Sequence, residues 1–308
     1  MFTLVMVCDH FSHLEFCERG RAVRFSVISL TWDAPFGDAH APLLSEAREL
    51  GFEGFEIFFE SPRQFDVVRM AEAFAAKGLT PTICAVPNRD RDLSADDPKV
   101  RAAGLAYLKD AVDVVADLGG QVVGGPLYGD QVFYGGVPAQ LHDAPTRARK
   151  RRNVVDGLRQ LSEYAGSRGV SLAVEPLNRF ETATCTLAEH ALELVDEVGA
   201  PNLAVLLDTY HMNIDESSIP DAIRATGSRL GHFHANENHR GTPGSGHIPW
   251  DATFSALQDI NYDGWVVLEP FRRRDNPLGL SQALWRPAGP GDNDDLRGGL
   301  EYLRQFRS

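Results

Sequence analysis

Eight short apolar runs, each followed by a stretch of helical period, constrain this chain more than anything else in it. The runs fall at 25–30, 54–59, 82–86, 122–125, 172–175, 204–208, 231–234 and 265–269. The amphipathic stretches lie at roughly 42–50, 64–77, 98–118, 144–167, 187–198, 217–226, 250–260 and 294–307. Runs this short and this apolar read as strands covered on both faces, and strands that alternate with helices form a parallel sheet sheathed by those helices. Several stretches stop at glycine, at Gly51, Gly78, Gly119 and Gly199, where a helix end favours left-handed backbone. Thr186 and Glu189 have the spacing of a capping box that opens the fifth helix. Eight such units between residues 24 and 308 fit a closed (β/α)8 barrel better than an open doubly wound sheet. Residues 1–23 fit no part of the pattern and read as an N-terminal extension.

With 308 residues, 43% of them hydrophobic, the chain can fill one such barrel. Its formal net charge is −13. Nucleic acid and anionic membrane both call for a basic face, so neither is an expected partner. No stretch approaches the ~20 apolar residues of a membrane span. The opening MFTLVMVC run is too short, and lacks the basic flank, for a signal sequence. Cys8, Cys17, Cys84 and Cys185 form no CxxC pair, which sets aside a zinc knuckle and a thioredoxin-type motif. They read as reduced thiols of a cytoplasmic protein. No glycine-rich dinucleotide fingerprint follows the first strand and no phosphate-binding P-loop occurs anywhere, so a nucleotide cofactor is not expected. The segments 87–97, 126–143, 235–249 and 272–293 all follow strands and therefore rim one face of the barrel. Loops of that length line or cover sites.

Four consecutive strands, the fifth to the eighth, end in groups able to hold a metal: Glu175, Asp208, His234 and Glu269. A buried parallel strand does not normally end in a carboxylate unless something consumes its charge. One such residue is commonplace as a loop cap; four in succession, at the barrel end where active sites gather, read as a site. Three carboxylates and one imidazole form a hard, oxygen-rich set that suits Mn²⁺ first, with Co²⁺ or Mg²⁺ as alternatives, and not a thiolate-bound structural zinc. Just beyond these ends come Glu181, His211 and Arg240, a mix of acceptors and donors suited to sugar hydroxyls. Glu237 and Asn178 read as loop-shaping residues. His232 is taken to alternate with His234 and so to point toward the helices as a core histidine. Glu56 lies inside the second strand and faces the lumen in this reading, without an assigned role.

The stretches VEPLNRFE (174–181), LLDTYHMNIDESSI (206–219), GHFHANENHRGTPGSGHIPW (231–250) and YDGWVVLEPF (262–271) resemble the ketose 3-epimerases, a group of D-tagatose, D-allulose (D-psicose) and L-ribulose 3-epimerases within the xylose-isomerase-like TIM barrels. Weaker likeness covers 122–129 and the first two β/α units. The resemblance implies an isomerase that interconverts free ketoses at C3, such as D-fructose and D-allulose, D-tagatose and D-sorbose, or L-ribulose and L-xylulose. It implies Glu175, Asp208, His234 and Glu269 as metal ligands, Glu175 and Glu269 as the acid/base pair, and Glu181, His211 and Arg240 as substrate contacts. A homodimer or homotetramer is expected by the same analogy.

The reaction asks for the same parts. Epimerisation at C3 removes a weakly acidic proton beside the C2 carbonyl and returns one to the other face, through a cis-enediolate. A metal at the carbonyl stabilises that charge, worth several kcal/mol. Two carboxylates are needed, one for each face, and the fifth and eighth strand ends lie across the barrel mouth from each other. The N-terminal half departs from the family pattern, at FEIFFESP (55–62) and CAVPNRDRDLSADDP (84–98), in loops expected to meet C4 to C6 of the sugar. The metal chemistry therefore transfers more readily than substrate identity. An aldose–ketose or hydroxypyruvate-type isomerase on the same barrel is the alternative; a non-catalytic sugar-binding barrel is more distant. A multi-zinc endonuclease would need more strand-end histidines and a basic groove.

Overall fold

The structure, a computed structural model, describes residues 22–130, 142–272, 284 and 293–307. Eight parallel strands pair in chain order: β1 (Arg24–Ile28), β2 (Gly54–Phe59), β3 (Thr80–Ala85), β4 (Val122–Gly125), β5 (Ser171–Val174), β6 (Leu203–Asp208), β7 (Leu230–Ala235) and β8 (Trp265–Leu268). β8 pairs back onto β1, from Arg24 opposite Trp265 to Val27 opposite Leu268, and closes the barrel. Around it run α1 (Pro42–Leu50), α2 (Val67–Lys77), α3 (Pro98–Asp117), α4 (Ala144–Ser167), α5 (Ala188–Val198), α6 (Thr209–Asp215), α7 (Ile219–Thr226), α8 (Trp250–Asp259) and α9 (Asp294–Arg304).

Helix starts follow local chemistry. Asp66, Asp97 and Asp143 accept hydrogen bonds from the first-turn amides of α2, α3 and α4, and Pro98 and Pro145 occupy positions where a missing N–H costs nothing. Gly51 ends α1 at φ +100° and Gly199 ends α5 at φ +72°, the left-handed backbone their sequence positions imply. The capping box at Thr186 does not form. Leu187 stands at the N-cap, and other groups serve the helix start: Ala188 N–H donates to Glu216 Oε1 at 2.7 Å, and Thr186 N–H donates to His190 Nδ1 of α5 itself at 3.2 Å. A carboxylate arriving from another element has displaced the local solution.

The register sorts the strand side chains. Glu56 pairs with Ile28, Phe58 with Cys84, His232 with Leu206, and His234 with both Asp208 and Val267. Partners across a sheet share a face, so these side chains point into the barrel together. Ile28, Leu30, Cys84, Trp265 and Val267 form their own buried cluster there. The alternate residues, Phe25, Phe55, Phe59 and Phe233 among them, belong to the larger core between strands and helices.

Candidate functional site

Asp208 and His234 lie in the last turns of strand at β6 and β7, and Glu175 and Glu269 stand one residue beyond β5 and β8. All four are buried, Asp208 and His234 fully. Glu175, Asp208 and His234 each place a ligand atom within 4.8 Å of the others. Glu269 joins them, its Oε2 lying 3.4 Å from His234 Nδ1. The sequence reading thus brought the four strand ends together as the fold does.

The residues beyond the strand ends close over this group. Arg240 Nη1 donates to Asp208 Oδ2 at 2.7 Å and to Glu269 Oε2 at 2.8 Å. Its guanidinium is held by stacking on Tyr210, 3.9 Å away, and Phe271, 4.6 Å away. Its backbone sits at φ +60°, unusual for a bulky side chain and typical of constrained functional positions. His211 lies on α6, a short helix absent from the sequence reading, with Nε2 3.8 Å from Glu175 Oε1 and 3.7 Å from Asp208 Oδ2. Its other nitrogen, Nδ1, accepts from Asn178 N–H at 3.0 Å. Asn178 Nδ2 donates in turn to Glu181 Oε1 at 2.9 Å. Asn178 therefore shapes the loop and orients both neighbours. Glu237 is structural too: its carboxylate accepts from Gly244 N–H, Ile248 N–H and Trp250 Nε1, which organises the loop that carries Arg240.

One residue of the site escaped the sequence reading. Asn236 Nδ2 donates to Asp208 Oδ1 at 3.0 Å and to Glu269 Oε2 at 3.1 Å, tying two carboxylates from separate strands. Its position two residues after His234, on the same strand face, is the signal that could have found it. The reading of His232 needs correction. Residues two apart in a strand share a face, so His232 points inward with His234, and its Nε2 contacts Glu56 Oε2 at 2.6 Å. Of the four long loops, 131–141 and most of 272–293 lie outside the described residues, as do residues 1–21 with Cys8 and Cys17. At the ends of β2 and β3 the loops enclose a cavity of about 550 Å³, lined by Phe58, Val86, Glu60, Asn88 and Arg89 among others.

Burial and charge set the proton affinities. Burial raises Glu175 well above the carboxylate range, and Glu269 and Asp208 add to that against His234. Burial pushes Glu269 the same way, but Arg240 and His234 outweigh it and hold the group low. Burial takes Glu181 up to about 7 against the pull of Arg240. Burial and Arg240 take His211 down to about 3, so it is neutral. For His234 burial acts downward, yet Glu56 and Glu269 raise it far above its usual value.

These residues fit a divalent cation. Once Glu175, Asp208 and Glu269 are all ionised, as a cation would hold them, Arg240 offsets one of their charges and two remain in a buried place. The buried Nδ1 of His234 has no hydrogen-bond partner. Oxygen-rich donors around one imidazole are the set that Mn²⁺, Co²⁺ and Mg²⁺ accept. Among the described residues, no helix is long and apolar enough to cross a membrane.

Known proteins resemble this chain over most of its length. A family model described as xylose isomerase-like TIM barrel matches residues 44–306. A D-psicose 3-epimerase of Agrobacterium fabrum is 33% identical over 281 residues, which cover 89% of this chain and 94% of the relative. An L-ribulose 3-epimerase of a Methylomonas species is 32% identical, over 90% of this chain and 95% of its own. The crystal structure of a D-allulose 3-epimerase from Methylomonas, in complex with D-allulose, matches with a TM-score of 0.85 at 30% identity, covering 93% of this chain and 98% of that one.

Proposed function

The chain belongs to the ketose 3-epimerases of the xylose isomerase-like TIM barrel family, an isomerase group, and from that premise we propose that it is a metal-dependent enzyme acting on free ketoses through two opposed carboxylates. The observation that carries this reading is the convergence of Glu175, Asp208, His234 and Glu269 from four consecutive strand ends at one barrel mouth, under Arg240 and His211. We assign Mn²⁺ to the four, with Co²⁺ and Mg²⁺ as substitutes. When bound, the ion supplies a Lewis acid for the C2 carbonyl and charge stabilisation at its oxygen.

This chain's own groups do the rest. β5 and β8 are three places apart in a ring of eight, so Glu175 and Glu269 approach a ketose between them from different sides. One removes the proton at C3 and the other returns a proton to the opposite face, with the roles exchanged for the reverse direction. Neutral His211 and Glu181 orient O1 and O2, and Arg240 holds O2. Burial of all of these residues keeps water from competing for the proton in transit. The cavity beside Phe58 and Val86 gives room beyond C3, and unphosphorylated ketopentoses and ketohexoses fit the absence of a phosphate cradle in the sequence. We read 24–308 as one catalytic barrel of a cytoplasmic homodimer or homotetramer.

The test is a sugar panel on protein stripped with EDTA and then reloaded with Mn²⁺. D-fructose should yield D-allulose, L-ribulose should yield L-xylulose, and both should depend on the added ion. An aldose product would put the chain among the aldose–ketose isomerases instead, and turnover indifferent to EDTA would remove the metal from the mechanism.

A further inference from the structure

Glu56 is fully buried in the middle of β2 and has no part in the chemistry above. It stands opposite β7, which is not its neighbour in the barrel, so its contacts there run through the interior. Its Oε2 accepts from Thr82 Oγ1 at 2.8 Å and lies 2.6 Å from His232 Nε2. Its Oε1 stands 2.8 Å from His234 Nε2, off the direction of an ideal hydrogen bond. We propose that Glu56 is the positioning residue for His234, holding that imidazole from behind so that Nδ1 faces Glu175, Asp208 and Glu269. The inference rests on reading His234 as a metal ligand.

A Glu56 carboxylate oxygen 2.8 Å from Nε2 of His234 favours a ring hydrogen on that nitrogen over a lone pair there. Nδ1 is then the nitrogen left to give its lone pair to a metal; it lies 3.4 Å from Glu269 and has no hydrogen-bond partner. That is the tautomer a ligating imidazole needs, and a carboxylate behind it makes the ligand more basic. His232 completes the support: it shares the same carboxylate, and its ring packs edge-on against that of His234 at 5.4 Å. Without Glu56 the ring could present either nitrogen to the strand ends.

Glu56, His232 and His234 also have ligand atoms close enough together to suggest a second metal site. The distances argue otherwise. Two donors on one ion, each about 2.1 Å from it, stand roughly 3 Å or more apart. Here carboxylate and imidazole atoms touch directly at 2.6 and 2.8 Å, and Oε2 already takes the Thr82 hydroxyl. The group is a support in which Thr82 and His232 bond to Glu56 and His234 lies in close contact with it, not a second ion cage.

The experiment measures Mn²⁺ affinity by competition with a chelator for wild type, E56Q and E56D, each referred to its folded fraction by circular dichroism. The Co²⁺-loaded proteins are compared by visible absorption. E56Q keeps the shape but loses the charge, and should bind Mn²⁺ about 10–100-fold more weakly, with a changed Co²⁺ band. Activity should return at saturating metal, since the reacting groups are untouched. E56D keeps the charge but withdraws it, and should fall between; it decides the question should E56Q not fold. A merely structural role would lower the melting temperature of the metal-free protein and leave the affinity of the folded fraction alone. Mn²⁺ affinity within threefold of wild type in the folded variant overturns the inference. Failure of wild type itself to bind Mn²⁺ would instead remove the reading of His234 on which it stands.

Discussion

The two glutamates proposed both to hold the metal and to move the proton pose a problem of assignment at the level of single residues, because losing either one should stop turnover. Isotope exchange separates them. In the proposed mechanism each epimer offers its C3 proton to a different carboxylate, so E175Q and E269Q, assayed with saturating Mn²⁺, should each lose about 10²–10⁴-fold in epimerisation. Each should still exchange the C3 proton of one epimer with D₂O, and the two variants should choose opposite epimers; exchange of the same epimer by both, followed by NMR, would contradict the opposed pair. A second prediction concerns the thiols. Cys185 is buried and its thiol is pushed up to about 12, so at pH 8 almost none is thiolate. Mass spectrometry after iodoacetamide should find it unmodified in the native protein and alkylated in guanidinium. How much of this scale was legible depended on where a residue's partners lie. Glu175, Asp208, His234 and Glu269 announced themselves because a charged group at the end of a buried run is visible locally. Glu56 was read as facing the lumen, but its role was not legible, since its partner His232 is 176 residues away and only barrel closure brings them together. His232 was legible in principle, and the error was one of strand parity.

Elements were read from their period and their stop signals, and that works where an element is long enough to show them. All eight strands and eight of the helices lie where the pattern put them, to within a few residues. The exception is α6, whose residues TYHMNID make barely two turns and follow β6 with no turn residue between. What starts it is Asp208 itself: the side chain accepts from Tyr210 N–H at 2.8 Å, so one carboxylate ends a strand, caps a helix and faces the site. The helix carries His211 to within 4 Å of Glu175 as a direct result. Tight contact between elements makes a prediction of another kind. A Cβ added at Gly120, between α3 and β4, would stand 2.2 Å from the Pro81 carbonyl oxygen of β3. Neither backbone can yield without disturbing a barrel strand. G120A should therefore lose at least about 1–3 kcal/mol, read as a lower midpoint in urea, whereas alanine at Gly78, with nothing within 4 Å, meets only the cost of its left-handed backbone.

For the whole molecule, the ring of strands is closed by β8 on β1, but its last four strands converge on carboxylates that repel one another. Asn236 and Arg240 tie Asp208 to Glu269, yet nothing among the described contacts gives Glu175 a comparable cation. A bound divalent ion would join β5 to β6, β7 and β8 through one centre, so binding should stabilise the fold and not only the site. An ion that binds only the native state, present at a hundred times its Kd, contributes about 2.7 kcal/mol. For a chain of this length that corresponds to a rise of about 5 °C in Tm. Differential scanning calorimetry of EDTA-treated protein, with and without Mn²⁺, should show that rise. D208N should abolish it, because the shift belongs to an ion held at the strand ends and not to general salt effects. Removal of a solvent-exposed charge such as Asp221, which pairs with Arg224, should leave the shift intact. Equal shifts in wild type and D208N would place the ion elsewhere, and with it the link that makes the second half of the barrel one unit.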